Sequence, residues 1–323
     1  MNKKRVLITG GAGFIGFHLA NKLAEEGHFV IGLDNFNSYY PVYLKNARRD
    51  QLQKLGVEVI KGDINDSNKV TALLDEHKIT HIAHMAAQAG VRYSLDNPQS
   101  YVESNLKGFI SILEALKTRP SIKLIFASSS SVYGRNKKTP FAVEDTTDSQ
   151  ASLYGATKKA GELFAHTYHH LYGLTCIGLR FFTVYGPWGR PDMAYWTFSE
   201  KIVQGMPLPL FNEGKMRRDF TYIDDIVQGI IKSLDREGFA LYNLGNHKPV
   251  ELIRFVEILE RLLGKKALLQ YLPMQPGDVE QTYADITQSQ TDLEFNPSTS
   301  LEEGLEKFTF WLQNTHKNPT MSN

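Results

Sequence analysis

At 323 residues the chain is long enough for one large domain or two closely joined ones. Lys and Arg number 36 against 35 Asp and Glu, a net charge of +1, so no bulk field recruits nucleic acid or an acidic membrane, and any anion site must be built locally. The single cysteine excludes an intramolecular disulfide, and no apolar run approaches the ~18 residues of a membrane span. The opening MNKKRVLI has the faint outline of a leader. A glycine cluster follows it and no credible cleavage site does, so a cytoplasmic chain is expected.

Residues 6–16 read VLITGGAGFIG, an aliphatic strand that runs into glycines and then into the amphipathic helix FHLANKLAEEG. Gly10, Gly13 and Gly16 are spaced G-x-x-G-x-x-G. Glycine serves there because a pyrophosphate must approach the backbone closely and sit on the positive end of the helix dipole. The next strand, HFVIGLD, ends at Asp34, about 20 residues on, where a dinucleotide-binding fold places an acid on the ribose hydroxyls. An acid there repels a 2′-phosphate, which favours NAD over NADP.

A loop rich in Asn and Tyr comes next, then a polar helix and the strand VEVIKGD. A helix near 66–76 leads to the strand THIAHMAA, a long helix near 98–117 and the strand IKLIFASS. A helix over about 153–172 precedes the strand LTCIGLRFF, where Cys176 reads as an inert buried thiol. This alternation predicts an α/β fold, a doubly wound parallel Rossmann sheet with ligands beyond the carboxyl ends of its strands. Past about residue 185 the elements shorten and Pro and Gly recur. The expected division is therefore a cofactor-binding domain over 1–184 that carries the catalytic residues, a smaller α/β substrate lobe over 185–313 with the chain crossing back to the first domain, and a flexible tail over 314–323.

Two groups of residues suggest chemistry. Tyr154 and Lys158 stand four apart in a helical segment, hence on one face, where an ammonium would lower the phenol's pKa toward that of a general base. Ser128, Ser129, Ser130 and Ser131 close a strand just before VYG, a pattern that a turn or helix cap also explains. The ten histidines, His166, His169 and His170 among them, form no metal set, so no metal is expected.

Together these motifs resemble the extended short-chain dehydrogenases/reductases that modify nucleotide sugars. The likeness runs from TGGAGFIG through GDI at 62–64, HMAAQAG, Asn105 to Gly108, SSSSVYG, YGATK and RFFTVYGPWGR to RRDFTYIDD and QPGD. It implies NAD as cofactor, Ser129, Tyr154 and Lys158 as catalytic residues, and a homodimer formed through the helices near 98–117 and 153–172. Cofactor contacts would come from Phe14 and Ile15 beside the three glycines, from Asp34 and Asn35, from Asp63 and Ile64 at the adenine, from Ala86 and Ala87, and from Asn105. Lys158 would also hold the nicotinamide ribose.

In this family Tyr154 would take the proton of a sugar C4 hydroxyl while hydride passes to NAD, leaving a 4-keto sugar. Dehydratases resemble one another in carrying Asp-Glu where this chain has Ser130 and Ser131, and decarboxylases of UDP-glucuronate carry Glu in place of Ser131. Elimination needs such an acid and base, whereas 4-epimerisation needs none. Thr183 after RFF, where glucose epimerases have Asn, resembles the UDP-glucuronate 4-epimerases, in which Ser130 and Thr183 would bind the C6 carboxylate. The resemblance assigns Arg190 and Arg218 to the diphosphate or ribose, Phe211 to uracil and Asp278 to the ribose. Gln275 departs from the Arg that neutral-sugar epimerases often carry there. UDP-glucose epimerisation and UDP-glucuronate decarboxylation remain alternatives, and so does an NAD-sensing binding protein on the same fold.

Overall fold

A computed structural model describes residues 3–273 and 280–316. Six parallel strands alternate with helices in the first half: β1 Arg5–Thr9, β2 Phe29–Asp34, β3 Glu58–Lys61, β4 His81–His84, β5 Lys123–Ser129 and β6 Cys176–Phe181. A seventh, Phe239–Leu244, returns from the second half to pair with β6. The order across the sheet is Phe239–Leu244, β6, β5, β4, β1, β2, β3. Helices cover both faces of such a sheet, which is why its strands read as near-continuous apolar runs rather than alternating ones. Strand order reverses between β1 and β4, and a crevice opens at that switch point beyond the strand ends. Cys176 is buried in β6, and that burial pushes its thiol up to about 12, well away from a nucleophile's range.

Helix α1, Phe14–Glu25, starts at Gly13 with no side-chain cap, so its first N–H groups point into the crevice. Helix α2, Val42–Lys54, is the polar helix after β2. The helix Leu153–Tyr172 starts on Ser152, whose hydroxyl accepts from Gly155 N at 3.0 Å, and stops at left-handed Gly173. The helix expected near 98–117 is interrupted. It runs Pro98–Tyr101, widens to π-helical pairing over Val102–Lys107, and resumes as Gly108–Lys117.

The second half adds short two- and three-stranded sheets: Thr183–Tyr185 beside Phe220–Tyr222, Pro207–Phe211 beside Leu268–Leu272, and Arg217–Arg218 between Val250–Glu251 and Gln281–Thr282. One apolar cluster is continuous from Val6 and Ala12 through Tyr185 and Trp196 to Phe255 and Phe308. The last helix runs Leu301–His316, so the first residues of the expected tail are helical. Residues 317–323 lie outside the described residues, as do Gln275 and Asp278. Among the described residues no helix is long and apolar enough to cross a membrane.

Candidate active site

A cavity of about 390 Å³ fills the crevice. Gly10, Gly13, Phe14, Ile15 and Gly16 line its floor, with Asp34, Asn35, Asp63 and Ile64 on one side and Ala86 and Ala87 facing them. The glycines are needed for space. A Cβ on Gly16 would stand 2.1 Å from Gly10 O, and one on Gly10, at φ +70°, would stand 2.8 Å from Ala86 N. Asp34 is buried and held rigidly, accepting from Ala12 N at 3.1 Å and Phe36 N at 2.8 Å. Asp63 accepts from the side chains of Asn35 and Asn65, both at 2.9 Å. Burial pushes its carboxyl up, but these amide donors outweigh that and hold it below the ordinary range. An uncapped helix N-terminus, a glycine floor and a fixed carboxylate fit the pyrophosphate and ribose of a dinucleotide, so the residues present suit NAD.

Ser128 to Ser131, Tyr154, Lys158, Thr183 and Arg190 line the opposite end. Ser129 caps the short turn Ser130–Tyr133, its hydroxyl accepting from Ser131 N at 3.1 Å, and it also hydrogen-bonds the Tyr154 phenol. Gly155 lets the helix start close beneath this turn, because a Cβ there would stand 2.6 Å from Ser131 O. The electrostatics differ from expectation. Lys158 was expected to lower the Tyr154 pKa, yet its Nζ donates to Ala127 O at 2.8 Å and lies 6.0 Å from the phenol ring centre. Burial raises Tyr154 above its ordinary value, and the groups opposing that are the Ser129 hydroxyl and the Arg190 charge. Burial also brings Lys158 itself down to about 8.

Arg190 is gripped by Asp192 through two bonds of 3.0 and 2.5 Å, and Asp192 accepts a third from the Tyr39 hydroxyl at 2.9 Å. Burial opposes the Arg190 charge, but Asp192 more than compensates and keeps it protonated. Phe211 and Arg218 do not line the cavity. The Arg92 guanidinium lies 5.8 Å from the Phe211 ring centre, just outside the wall at Val91, and Arg218 donates to Glu280 O at 3.2 Å. Asn105, expected in a structural and cofactor-proximal role, is not among the residues that line the cavity, although its neighbour Ser104 is. The Asn105 amide binds both backbone groups of Gln88 and the Thr157 hydroxyl, so it ties the β4 loop to the helix Leu153–Tyr172.

Three buried groups were not singled out from sequence. Arg48 is fully buried beside the glycine turn, on the α2 stripe of Leu44 and Leu52. Glu162 continues the stripe of Tyr154 and Lys158, and pairs with buried Arg180 at 2.8 and 2.9 Å while accepting from Ser128 at 2.7 Å. For Arg48 and Glu162 the signal was available, a charged residue at helical spacing between residues that must face inward; Arg180 stands instead in β6, where every residue is buried.

The sequence matches the family model described as GDP-mannose 4,6 dehydratase over residues 7–308. The chain belongs to that family. Within it, the chain is similar to UDP-glucuronate 4-epimerase 5 of Arabidopsis thaliana, 50% identical, with 95% of this chain and 74% of that protein covered. Among solved structures it is similar to UDP-glucuronic acid 4-epimerase from Bacillus cereus in complex with UDP-glucuronic acid and NAD. That match has 34% identity and a TM-score of 0.89, covering 96% of this chain and 99% of the other. UDP-glucose 4-epimerase from Thermotoga maritima with UDP-glucose is also similar, at 28% identity and a TM-score of 0.88, covering 97% of this chain and 99% of the other.

Proposed function

We propose that this protein is an NAD-dependent 4-epimerase that interconverts UDP-glucuronate and UDP-galacturonate. One observation carries the reading: among the described residues no carboxylate lines the reacting end of the cavity, where Ser130 and Ser131 stand beside Tyr154. Elimination and assisted decarboxylation both call for an acid or base at those positions, whereas inversion at C4 does not. The half-identical relatives that act on UDP-glucuronate support the choice of substrate.

In this reading Tyr154 takes the proton of the C4 hydroxyl and later returns it. Ser129 holds the phenol by its hydrogen bond, and with Arg190 it works against the burial that disfavours a phenolate. Lys158 binds the nicotinamide ribose and anchors on Ala127 O. NAD, when bound, supplies acceptance and return of the C4 hydride. Gly10, Gly13, Phe14, Ile15 and Gly16 would hold its pyrophosphate, Asp34 and Asn35 the adenosine ribose, Asp63 and Ile64 the adenine, and Ala86 and Ala87 the opposite wall. Asn105 acts through the β4 loop rather than on the cofactor.

The hydroxyls of Ser130 and Thr183 would receive the C6 carboxylate. The UDP end would extend past the cavity wall to Arg218 and to Phe211, which Arg92 already overlies, and Asp278 is proposed at its ribose. Exposed Val102, Ile110, Leu163 and Leu171 give the two long helical segments an apolar outer face, which supports a homodimer. We place the reaction in the cytoplasm.

The test is to incubate the protein with UDP-glucuronate, with and without added NAD, and resolve the nucleotide sugars. UDP-galacturonate is expected, and Tyr154→Phe should slow its formation about 10²- to 10⁴-fold. UDP-xylose as the main product would replace this reading with the decarboxylase one. Turnover of UDP-glucose alone would replace the substrate.

A further inference from the structure

Arg48 of α2 joins the two ends of the site from behind. Its guanidinium donates to Ala12 O, in the glycine turn, at 3.0 Å and to the Tyr40 hydroxyl at 2.8 Å. The rest of the fork reaches the turn that carries Arg190: Trp188 O at 2.6 and 3.1 Å, and Gly189 O at 2.8 Å. All of these acceptors are neutral, and among the described residues no carboxylate forms an ion pair with Arg48. Burying a cation on such terms is costly, and a well-packed apolar side chain fills the same volume more cheaply. The planar fork offers what that side chain lacks, five donors in fixed directions across two turns.

The Arg190 turn needs such restraint. Trp188 sits in the left-handed region at φ +58°, Gly186 is at φ +149°, and a Cβ on Gly189 would stand 2.1 Å from the Tyr195 hydroxyl. A bulky residue at positive φ is strained and persists only where its surroundings over-determine it. Two further side chains grip the ends of the turn. His18 of α1 lies 2.9 Å from Pro187 O. Burial brings that imidazole down to about 4, so it is neutral and donates through Nε2. Tyr39, in the loop after β2, donates to Asp192. Every restraint comes from elements that also shape the cofactor cleft.

We propose that Arg48 is a positioning residue that locks the pyrophosphate turn to the turn aiming Arg190, so that the cofactor cleft and the reacting end form as one unit. Its cationic charge also stands directly behind the turn that receives the anion. The kinetic part rests on the epimerase reading, and the cofactor part does not.

The test is a double-mutant cycle of Arg48→Lys and Arg190→Ala. It is read by kcat/KM for UDP-glucuronate and, separately, by NAD affinity from calorimetry on cofactor-stripped protein. Arg48→Lys should lower kcat/KM about 10- to 100-fold when Arg190 is present and less than about 3-fold when it is already Ala. NAD affinity should fall with Arg48→Lys in both backgrounds and stay near wild type with Arg190→Ala alone. Equal kinetic losses in the two backgrounds, or unchanged NAD affinity in Arg48→Lys, would overturn the proposal. A wild-type protein that does not turn over UDP-glucuronate defeats the functional reading instead, and NAD affinity then decides the inference alone. If Arg48→Lys does not yield folded protein, His18→Phe frees the same turn at Pro187 and takes its place in the kinetic cycle under the same criteria.

Discussion

Replacing Thr183 by Val isolates one hydroxyl at the reacting end. The backbone there is fixed independently of the side chain: Thr183 N donates to Asp219 O at 3.1 Å, and Thr183 pairs with Phe220 in a parallel ladder. Valine keeps the β-branch and the volume, so the strand persists and only a hydrogen-bond donor to the cavity is lost. A hydrogen bond to a carboxylate contributes roughly 1.5–3 kcal/mol, which converts to about 10- to 150-fold in affinity. UDP-glucuronate should therefore show a KM raised by at least an order of magnitude, whereas UDP-glucose, which offers no carboxylate, should change little. The product should change as well. A 4-keto uronate is a β-keto acid and loses CO₂ when its carboxylate turns perpendicular to the ketone, so a carboxylate held by fewer hydroxyls should leak UDP-pentose. Chromatography of a time course with Thr183→Val, and with Ser130→Ala beside it, reads both quantities at once. Pentose yield unchanged from wild type, together with equal effects on the two substrates, would refute the carboxylate assignment.

The buried Glu162–Arg180 pair, with both side chains about 2% exposed, should make Glu162→Gln destabilising by about 3–5 kcal/mol, because it leaves a buried guanidinium without its counter-charge. Urea unfolding checks this, and a loss below about 1 kcal/mol would show that the pair is dispensable. Acid should destabilise the fold through His18 and His84, whose buried rings are brought down to about 4 and about 3 from 6.5. The unfolded chain binds protons on these residues first, so their contribution is intact above pH 6.5 and is lost as pH falls toward the folded values. At pH 5 each should cost about 2 kcal/mol relative to pH 7. Unfolding midpoints of wild type and His84→Gln at the two pH values should show a smaller acid loss in the variant, and parallel losses would count against a neutral buried His84.

What could be read from sequence was local chemistry. The glycine turn and α1 are contiguous, and the strand carrying Asp34 follows at once, so the pattern itself describes the cofactor floor. The helix Leu153–Tyr172 carries its own start and stop in Ser152 and Gly173, and its bounds matched the expectation. Contacts between distant segments were not readable. Arg48 bonds to residues 140 and 141 positions away, and nothing near it in the sequence indicates that Trp188 and Gly189 will lie opposite. The direction of Lys158 failed for a similar reason. Helical spacing puts it on the face of Tyr154, but the Ala127 carbonyl, supplied by β5, decides where its ammonium goes. The π-helical stretch Val102–Lys107 follows from no local propensity, and it places Asn105 where one side-chain amide joins Gln88 to Thr157.

Membership in a family whose model is described by dehydration does not settle the reaction, because one fold hosts many reactions and the side chains of the site decide among them. Here those side chains are set by the turn that follows β5. Ser129 caps that turn with its own hydroxyl, and Gly155 lets the helix of Tyr154 pack beneath it, so whatever stands at positions 130 and 131 is delivered to the same place against the sugar. An aspartate and glutamate there would supply the proton transfers of elimination. Two serines supply only neutral hydroxyls, too weakly acidic and basic for that work but well suited to accept a carboxylate as a hydrogen-bond partner. On the proposed reading the same two serines would both withhold elimination and favour an acidic sugar. Ser131→Glu should therefore shift the product from UDP-galacturonate toward UDP-pentose while UDP-glucuronate still binds, because it places an acid/base beside Tyr154 without touching Ser130 or Thr183; chromatography of the nucleotide sugars checks this, and an unchanged product ratio would count against the role given to the turn.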